Sequence, residues 1–217
     1  VSSSGTAKPM AMTIQLHNAG KRYNRDWIFR NLNYTFQCGK HYAITGPNGS
    51  GKSTLLQVLS GAVSVNEGSC SHSLKNAAIA PEKIFNYTSL CAPYLELIEE
   101  FTLTEFLTFH QSFKPFVNGM PVHAVIDAVH LTHARHKKIN EYSSGMKQRV
   151  KLAQCILSDT PLVLLDEPCT NLDTAGIELY QHLIKTYCPG RLAVVSSNDI
   201  AEYGFCEEVL DITLYKQ

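Results

Sequence analysis

The eight residues GPNGSGKS, Gly46 to Ser53, follow a short apolar segment, HYAIT, and precede LLQVLSG, whose apolar positions recur at helical spacing. The pattern GxxxxGK[ST] set between a strand and a helix is suited to holding phosphate. Glycines let successive backbone N–H groups turn inward around phosphate oxygens, and the N-terminus of the following helix adds favourable partial charge. The candidate phosphate cradle is Gly46, Pro47, Asn48, Gly49, Ser50, Gly51, Lys52, Ser53 and Thr54. Within it Lys52 is expected to reach the β- and γ-phosphates, and the Ser53 hydroxyl to ligate Mg²⁺. The competing reading, an ordinary glycine-rich turn, is disfavoured by the flanking strand and helix.

Two further polar clusters end apolar runs. PLVLLDEP places Asp166 and Glu167 after a buried strand, expected beside the loop strand in a parallel sheet. Asp166 would hold Mg²⁺ through its water shell, and Glu167 would polarise an attacking water as general base. A helix N-terminal charge pair is the alternative, opposed by Pro168 and by the four apolar residues in front. The second cluster is LAVVSSNDIAE, which puts Asn198 at the carboxyl end of a strand, where α/β proteins usually keep their chemistry.

The elements that must position these residues follow from periodicity. TIQLHNAGKRY and NLNYTFQCGK alternate between polar turns and suit an antiparallel β layer. SLKNAAIAPE and YTSLCAP are two short strand candidates. From Leu95 to about Leu157 the pattern is mostly helical, with TLTEFLTFHQSF and SSGMKQRVKLAQCIL the clearest helices. TAGIELYQHLIKTY is a helix, RLAVVSS a strand, DIAEYG a short helix, and EEVLDITLYK a closing strand or hairpin. Strands alternating with helices imply a parallel sheet covered on both faces.

Length and composition bound the rest. At 217 residues the chain is expected to form one functional unit. Residues 1–11 are read as an expression remnant or a disordered leader, with a native start at Met10 or Met12, and residues 12–217 as the folded domain. Lys plus Arg equals Asp plus Glu, 19 each, so no global field draws the chain to nucleic acid or an anionic membrane. Seven scattered cysteines without a CxxC spacing read as reduced thiols of a cytosolic protein. No apolar run approaches the roughly 18 residues of a membrane span, so a membrane role must come through a partner. HLTHARHKK spaces His130, His133 and His136 by three, but helical spacing of that kind drifts off one face and Lys137 and Lys138 repel a cation. Solvated or core histidines are the reading taken.

EYSSGMKQRVKLAQCIL, together with PLVLLDEPCTNLD, resembles the ATP-binding cassette, or ABC, ATPases, whose signature loop reads LSGGQ followed by QRV and a helix. Tyr142, Ser143, Ser144, Gly145 and Met146 stand in that place, with Gln148 and Arg149 after them. The resemblance spans about residues 12 to 215 in the family's order. It implies a P-loop NTPase (RecA-like) core with an N-terminal antiparallel β subdomain and an inserted α-helical subdomain at about 95–157, with ATP and Mg²⁺ as cofactors. It also implies that Ser143 and Gly145 offer donors to the γ-phosphate of ATP held by a second cassette. TNLD, Thr170 to Asp173, matches the loop crossing that dimer interface, so a single cassette pairs with a second copy or a relative. Tyr23 stands where the family stacks an aromatic ring on adenine, the alternative being a core tyrosine.

Three departures from the family pattern stand out. Ser144 and Met146 replace a glycine and a glutamine of the signature. The glutamine expected ahead of the helical subdomain is absent, with Pro93 and Tyr94 in its neighbourhood. Asn198 fills the slot of a γ-phosphate-sensing histidine; asparagine can donate a hydrogen bond but cannot become cationic. Leu95, Leu97, Ile98 and Phe101 among Glu96, Glu99 and Glu100 read either as a face for docking a basic cytoplasmic helix or as a plain amphipathic helix.

The expected function is an ATP-hydrolysing cassette subunit that energises a transporter with separate membrane-spanning chains, located on the inner face of the membrane through them. A soluble ABC ATPase acting on a non-membrane client, and a nucleotide-binding regulator with slow or no hydrolysis, are the alternatives.

Overall fold

A computed structural model describes residues 11–216; residues 1–10, most of the segment read as a leader, and Gln217 lie outside the described residues. Met12–Tyr23 (β1) and Asp26–Gln37 (β2) open the chain, followed by His41–Thr45 (β3), Lys52–Leu59 (α1), Glu67–Leu74 (β4), Ala77–Ile79 (β5) and Thr88–Cys91 (β6). Leu103–Phe113 (α2), Val122–Ala128 (α3) and Ser144–Ile156 (α4) come next. Leu162–Asp166 (β7), Thr174–Tyr187 (α5), Leu192–Ser196 (β8), Ile200–Tyr203 (α6) and Glu208–Asp211 (β9) complete it.

The first layer is antiparallel, in the order β2-β1-β4-β5. SLKNAAIAPE, read as one strand, is instead the hairpin between β4 and β5: Lys75 and Asn76 both take positive φ, 50° and 66°, which matches a two-residue turn to the strand twist. The second layer is a five-stranded sheet in the order β6-β7-β8-β3-β9, and each neighbouring pair runs parallel. The closing segment is therefore a parallel edge strand on β3 rather than half of a hairpin.

Every residue of β7 and β8 is buried, as their unbroken apolar runs require of central parallel strands. Their side chains divide by parity. Leu162, Leu164, Leu192 and Val194 join a core with Leu55, Leu56 and Leu59 of α1 and with Ile14, Phe29 and Phe36 of the antiparallel layer. Val163, Leu165, Ala193 and Val195 face the other way, onto Leu152 and Ile156 of α4 and Leu179 and Leu183 of α5. The sheet is thus covered on both faces.

Two segments read as helical are not. At 95–101 the carbonyls a helix would use internally are taken from elsewhere in the chain: Asn140 N–H donates to Glu99 O at 3.0 Å and Ile139 N–H to Phe101 O at 2.9 Å. The helix starts only at Thr102, whose hydroxyl accepts from Glu105 N–H while the Glu105 carboxylate accepts from Thr102 N–H, a closed capping box. At 130–138, α3 ends where His130 takes φ 57° and Leu131 N–H reaches back to Ile126 O at 3.1 Å, after which Thr132–Ala134 makes a single tight turn.

Candidate active site

The phosphate-loop candidates sit between the end of β3 and the start of α1. Gly51, the residue before the helix, has φ +106°, and a Cβ there would stand 2.2 Å from Ile28 Cγ2 on β2. Gly46 has φ +142°, and its Cβ would meet Ser50 Oγ at 2.7 Å. Both positions combine a left-handed backbone with close approach, so glycine is a steric requirement. Lys52 is buried, and its Nζ donates to Gly46 O at 2.7 Å and Pro47 O at 3.4 Å, drawing the loop around its own ammonium. Ser53 and Thr54 lie in the first turn of α1, half-buried.

β7 is not beside β3, as the sequence reading had it; β8 lies between them. Periodicity identifies strands but not their neighbours, and here the intervening strand is the one that leads, two residues past its end, to Asn198. Its end fastens the site together. Ser196 O accepts from Glu167 N–H at 2.9 Å, Ser197 N–H donates to Ile44 O at 3.1 Å, and Asn198 Oδ1 accepts from Gly46 N–H at 3.1 Å. Asp166 pairs in register with Ser196. Gly46–Thr54, Asp166, Glu167 and Asn198 therefore meet at one edge of the sheet.

Asp166 is buried and its Oδ1 has no hydrogen-bond partner. A buried carboxylate oxygen without a donor is costly unless a cation completes it. The donor chemistry, this carboxylate oxygen and the Ser53 hydroxyl in the first turn of α1, fits a hard divalent ion such as Mg²⁺. Glu167 is exposed and has φ 44°, a conformation uncommon outside glycine, asparagine and aspartate. Its carbonyl accepts from Thr170 N–H at 3.2 Å and Thr170 Oγ1 at 2.9 Å. The carboxylate is thus presented outward from a backbone tied at both ends.

Ser143, Gly145 and Asp173 form a second group. Ser143 caps α4, its hydroxyl accepting from Met146 N–H at 3.3 Å, and Asp173 caps α5, accepting from Gly176 N–H at 2.8 Å. Arg149 and Asp173 lie 3.6 Å apart, and a Cβ on Gly145 would approach Asn171 O at 3.0 Å. Ser143, Gly145, Met146, Arg149, Asn171 and Asp173 share one cavity, and none of Gly46–Thr54 lines it. The structure does not bring these two groups together within the chain.

Tyr23 ends β1 at the hairpin tip, half-exposed, with Lys21 Nζ 5.1 Å from its ring centroid, so it is not a core tyrosine. Tyr94 is also half-exposed; burial pushes its phenol pKa up, a hydrogen bond with the Gln57 side chain opposes the rise, and the Asp166 carboxylate adds to it. The segment on either side of it is held by α4: Lys151 Nζ donates to Pro93 O at 3.0 Å and Lys147 Nζ to Glu99 Oε1 at 2.6 Å.

Residues 29–170 match the model of the ABC transporter family. The chain belongs to that family. The uncharacterized ABC transporter ATP-binding protein YhcH of Bacillus subtilis (strain 168) is 31% identical over 204 residues, which cover 89% of this chain and 64% of YhcH. This cassette therefore spans less than two thirds of that relative's length. The lantibiotic transport ATP-binding protein SrtF of Streptococcus pyogenes is 29% identical, covering 87% of this chain and 81% of SrtF. Among solved structures, a dimeric ATP-binding cassette in a post-hydrolysis state with ADP and Pi superposes with a TM-score of 0.79 at 24% identity, over 92% of this chain and 94% of that one. A putative ABC transporter ATP-binding protein from Pyrococcus furiosus gives 0.80 at 19% identity, over 94% and 100%. These likenesses establish that the α/β architecture is that of an ABC cassette. No helix of the described residues is long and apolar enough to cross a membrane.

Two residues to which the sequence assigned no role at this site, Gln148 being marked only as following the signature loop, are drawn in by the fold. Gln148 on α4 and Glu202 on α6 are both buried and both touch the turn after Glu167. A glutamine on the apolar side of a helix, and a glutamate four residues after Asn198, were the available signals.

Proposed function

We propose that residues 12–217 form an ATPase unit that binds ATP at Gly46–Thr54 and hydrolyses it to energise a transporter whose membrane-spanning chains are separate. The observation that carries this reading is a set of three hydrogen bonds made by Ser196, Ser197 and Asn198 at and just past the end of β8, to Glu167, to Ile44 at the end of β3, and to Gly46. It gathers a phosphate loop, a pair of carboxylates and an amide side chain at one edge.

Glu167 is the general base, accepting a proton from water that attacks the γ-phosphorus. Lys52 releases the Gly46 and Pro47 carbonyls and turns its ammonium to the β- and γ-phosphates. Asn198 keeps Oδ1 on the loop and offers its Nδ2 hydrogens to the γ-phosphate. Ser53, and Asp166 through water, would hold Mg²⁺. Bound there, it neutralises phosphate charge. Tyr23 supplies a ring face for adenine.

A second cassette, most simply an identical chain, completes the site. Separation of the Ser143 and Asp173 cavity from the phosphate loop within one chain supports this, since its donors need a phosphate from elsewhere. Ser143 accepts from Met146 N–H and keeps its own hydrogen free to donate. For the membrane subunits, the irregular segment at 93–101 supports docking of a basic cytoplasmic element: Ile98 is exposed between exposed Glu96 and Glu100. Such docking would place the chain at the inner face of the membrane. Turnover is slow, because asparagine cannot become cationic and the sequence around Pro93 and Tyr94 carries no glutamine in the family's place.

The test is steady-state phosphate release by purified protein with Mg²⁺ and ATP. Wild type should exceed background and Glu167→Gln should fall to it; a wild type already at background overturns hydrolysis.

A further inference from the structure

The peptide unit joining Pro168 to Cys169 is gripped from both sides. Its carbonyl accepts from Gln148 Nε2 at 2.6 Å, and its N–H donates to Glu202 Oε1 at 2.6 Å. Both side chains are buried, 4% and 5% exposed, so neither bond competes with bulk water. One peptide unit, Glu167–Pro168, separates it from Glu167, whose own N–H is held by Ser196 O and whose carbonyl is held by Thr170. With φ of 44° at Glu167, the backbone there holds an uncommon conformation that its surroundings must enforce.

The two grips come from different parts of the fold. Gln148 sits one turn into α4, the helix capped by Ser143, and its Nε2 also lies 3.7 Å from Cys91 Sγ at the end of β6. Glu202 sits on α6, which begins two residues after Asn198, and its carbonyl accepts from the Tyr180 hydroxyl of α5 at 2.8 Å. Burial raises the Glu202 carboxyl pKa, while Ser197 and the Cys169 N–H oppose the rise.

We propose that Gln148 and Glu202 are positioning residues that clamp the Pro168–Cys169 peptide and thereby aim Glu167, tying its direction to α4 and to the Asn198 turn. The proposal rests on Glu167 acting as the base. A displacement of α4 at the Ser143 end pulls on the Pro168 carbonyl, and a displacement of α6 pulls on the Cys169 N–H. Either moves Pro168, whose ring fixes φ and so passes the displacement on to Glu167, and misplacing a reacting group by about 1 Å costs on the order of a hundredfold in rate.

Glu202→Ala removes the acceptor, Glu202→Gln keeps an acceptor oxygen of the same reach, and Gln148→Ala removes the donor. In the full chain, Glu202→Ala and Gln148→Ala should each lower kcat at least about tenfold with KM for ATP within about threefold of wild type. Glu202→Gln should stay within about threefold of wild type in kcat. The double alanine variant should lose little more than the worse single one, since both act on one peptide. A kcat unchanged in both alanine variants, a KM that rises in step with the loss, or a Glu202→Gln as impaired as Glu202→Ala overturns the clamp. Amide exchange of the Asp166–Thr170 segment, measured on the same folded proteins, does not depend on turnover: it should speed in both alanine variants and not in Glu202→Gln. Unchanged exchange overturns the clamp, whereas wild type without phosphate release but with this exchange pattern overturns only the assignment of Glu167.

Discussion

Asn198 Oδ1 accepts a hydrogen bond from the backbone N–H of Gly46, 3.1 Å away and 152 residues distant in the chain. The amide therefore has two jobs for two ends: the oxygen fixes the entrance of the phosphate loop, and the nitrogen is left to donate. Asn198→Ala removes both and should reduce phosphate release by about a hundredfold, the scale of losing one well-placed donor. Asn198→His should raise it above wild type. A histidine variant at or below wild type would mean that the loop is built around the amide oxygen.

Gly51→Ala tests the loop's steric requirement. The added Cβ lies 2.2 Å from Ile28 Cγ2 on a backbone with φ +106°, so the variant should lose at least about 2 kcal/mol of stability together with nucleotide binding. Pairing it with Ile28→Ala relieves the clash but not the backbone conformation. Thermal unfolding should show partial recovery, and fluorescent-nucleotide titration little.

Arg191 is buried and paired with neutral acceptors: Ile156 O at 2.6 Å, Ser158 O at 2.8 Å, Thr160 O at 2.7 Å and Tyr187 O at 3.3 Å. Two of these carbonyls end α4 and α5, where a helix leaves its acceptors unmet and carries partial negative charge. Arg191→Met keeps the volume but strands those carbonyls, and urea unfolding should register a loss on the order of 3 kcal/mol. Arg191→Lys should recover only part, because an ammonium lacks the planar fork.

His110 gives a pH signature. Burial, then the nearby Lys114, lowers its pKa from 6.5 to about 4, while its Nε2 bonds Ser158 Oγ at 2.8 Å. Between those values the unfolded chain binds a proton that the folded one refuses. The stability difference is therefore absent above about pH 6.5, grows as pH falls, and levels off below about 4, at roughly 3 kcal/mol. His72, also lowered by burial, acts in the same direction. Unfolding midpoints from pH 7 to 4 should fall less steeply in His110→Gln than in wild type.

Much of the site was legible because its signals are local. The run from Gly46 to Ser53 specifies a turn that side chains cannot tolerate, and LVLL before Asp166 specifies a strand buried on both faces. What sequence could not supply was adjacency. Nothing in LAVVSS says that it lies between the other two strands, and nothing in Gln148 or Glu202 says that one peptide unit joins them. Glu99 and Phe101 look helical because the apolar residues Leu95, Leu97, Ile98 and Phe101 recur three and four apart among acidic ones. Their carbonyls go to Asn140 and Ile139, a long-range choice that periodicity does not record.

The placement of β8 has one more consequence. Strands in a sheet stand about 4.8 Å apart, so the ends of β3 and β7 are held two spacings, about 10 Å, from each other by a hydrogen-bonded ladder. Backbone sets that gauge, and no side-chain replacement within the sheet can widen or narrow it. Changes at the rim, at positions such as 167 and 198, therefore act on a gap that the strand ladder holds constant.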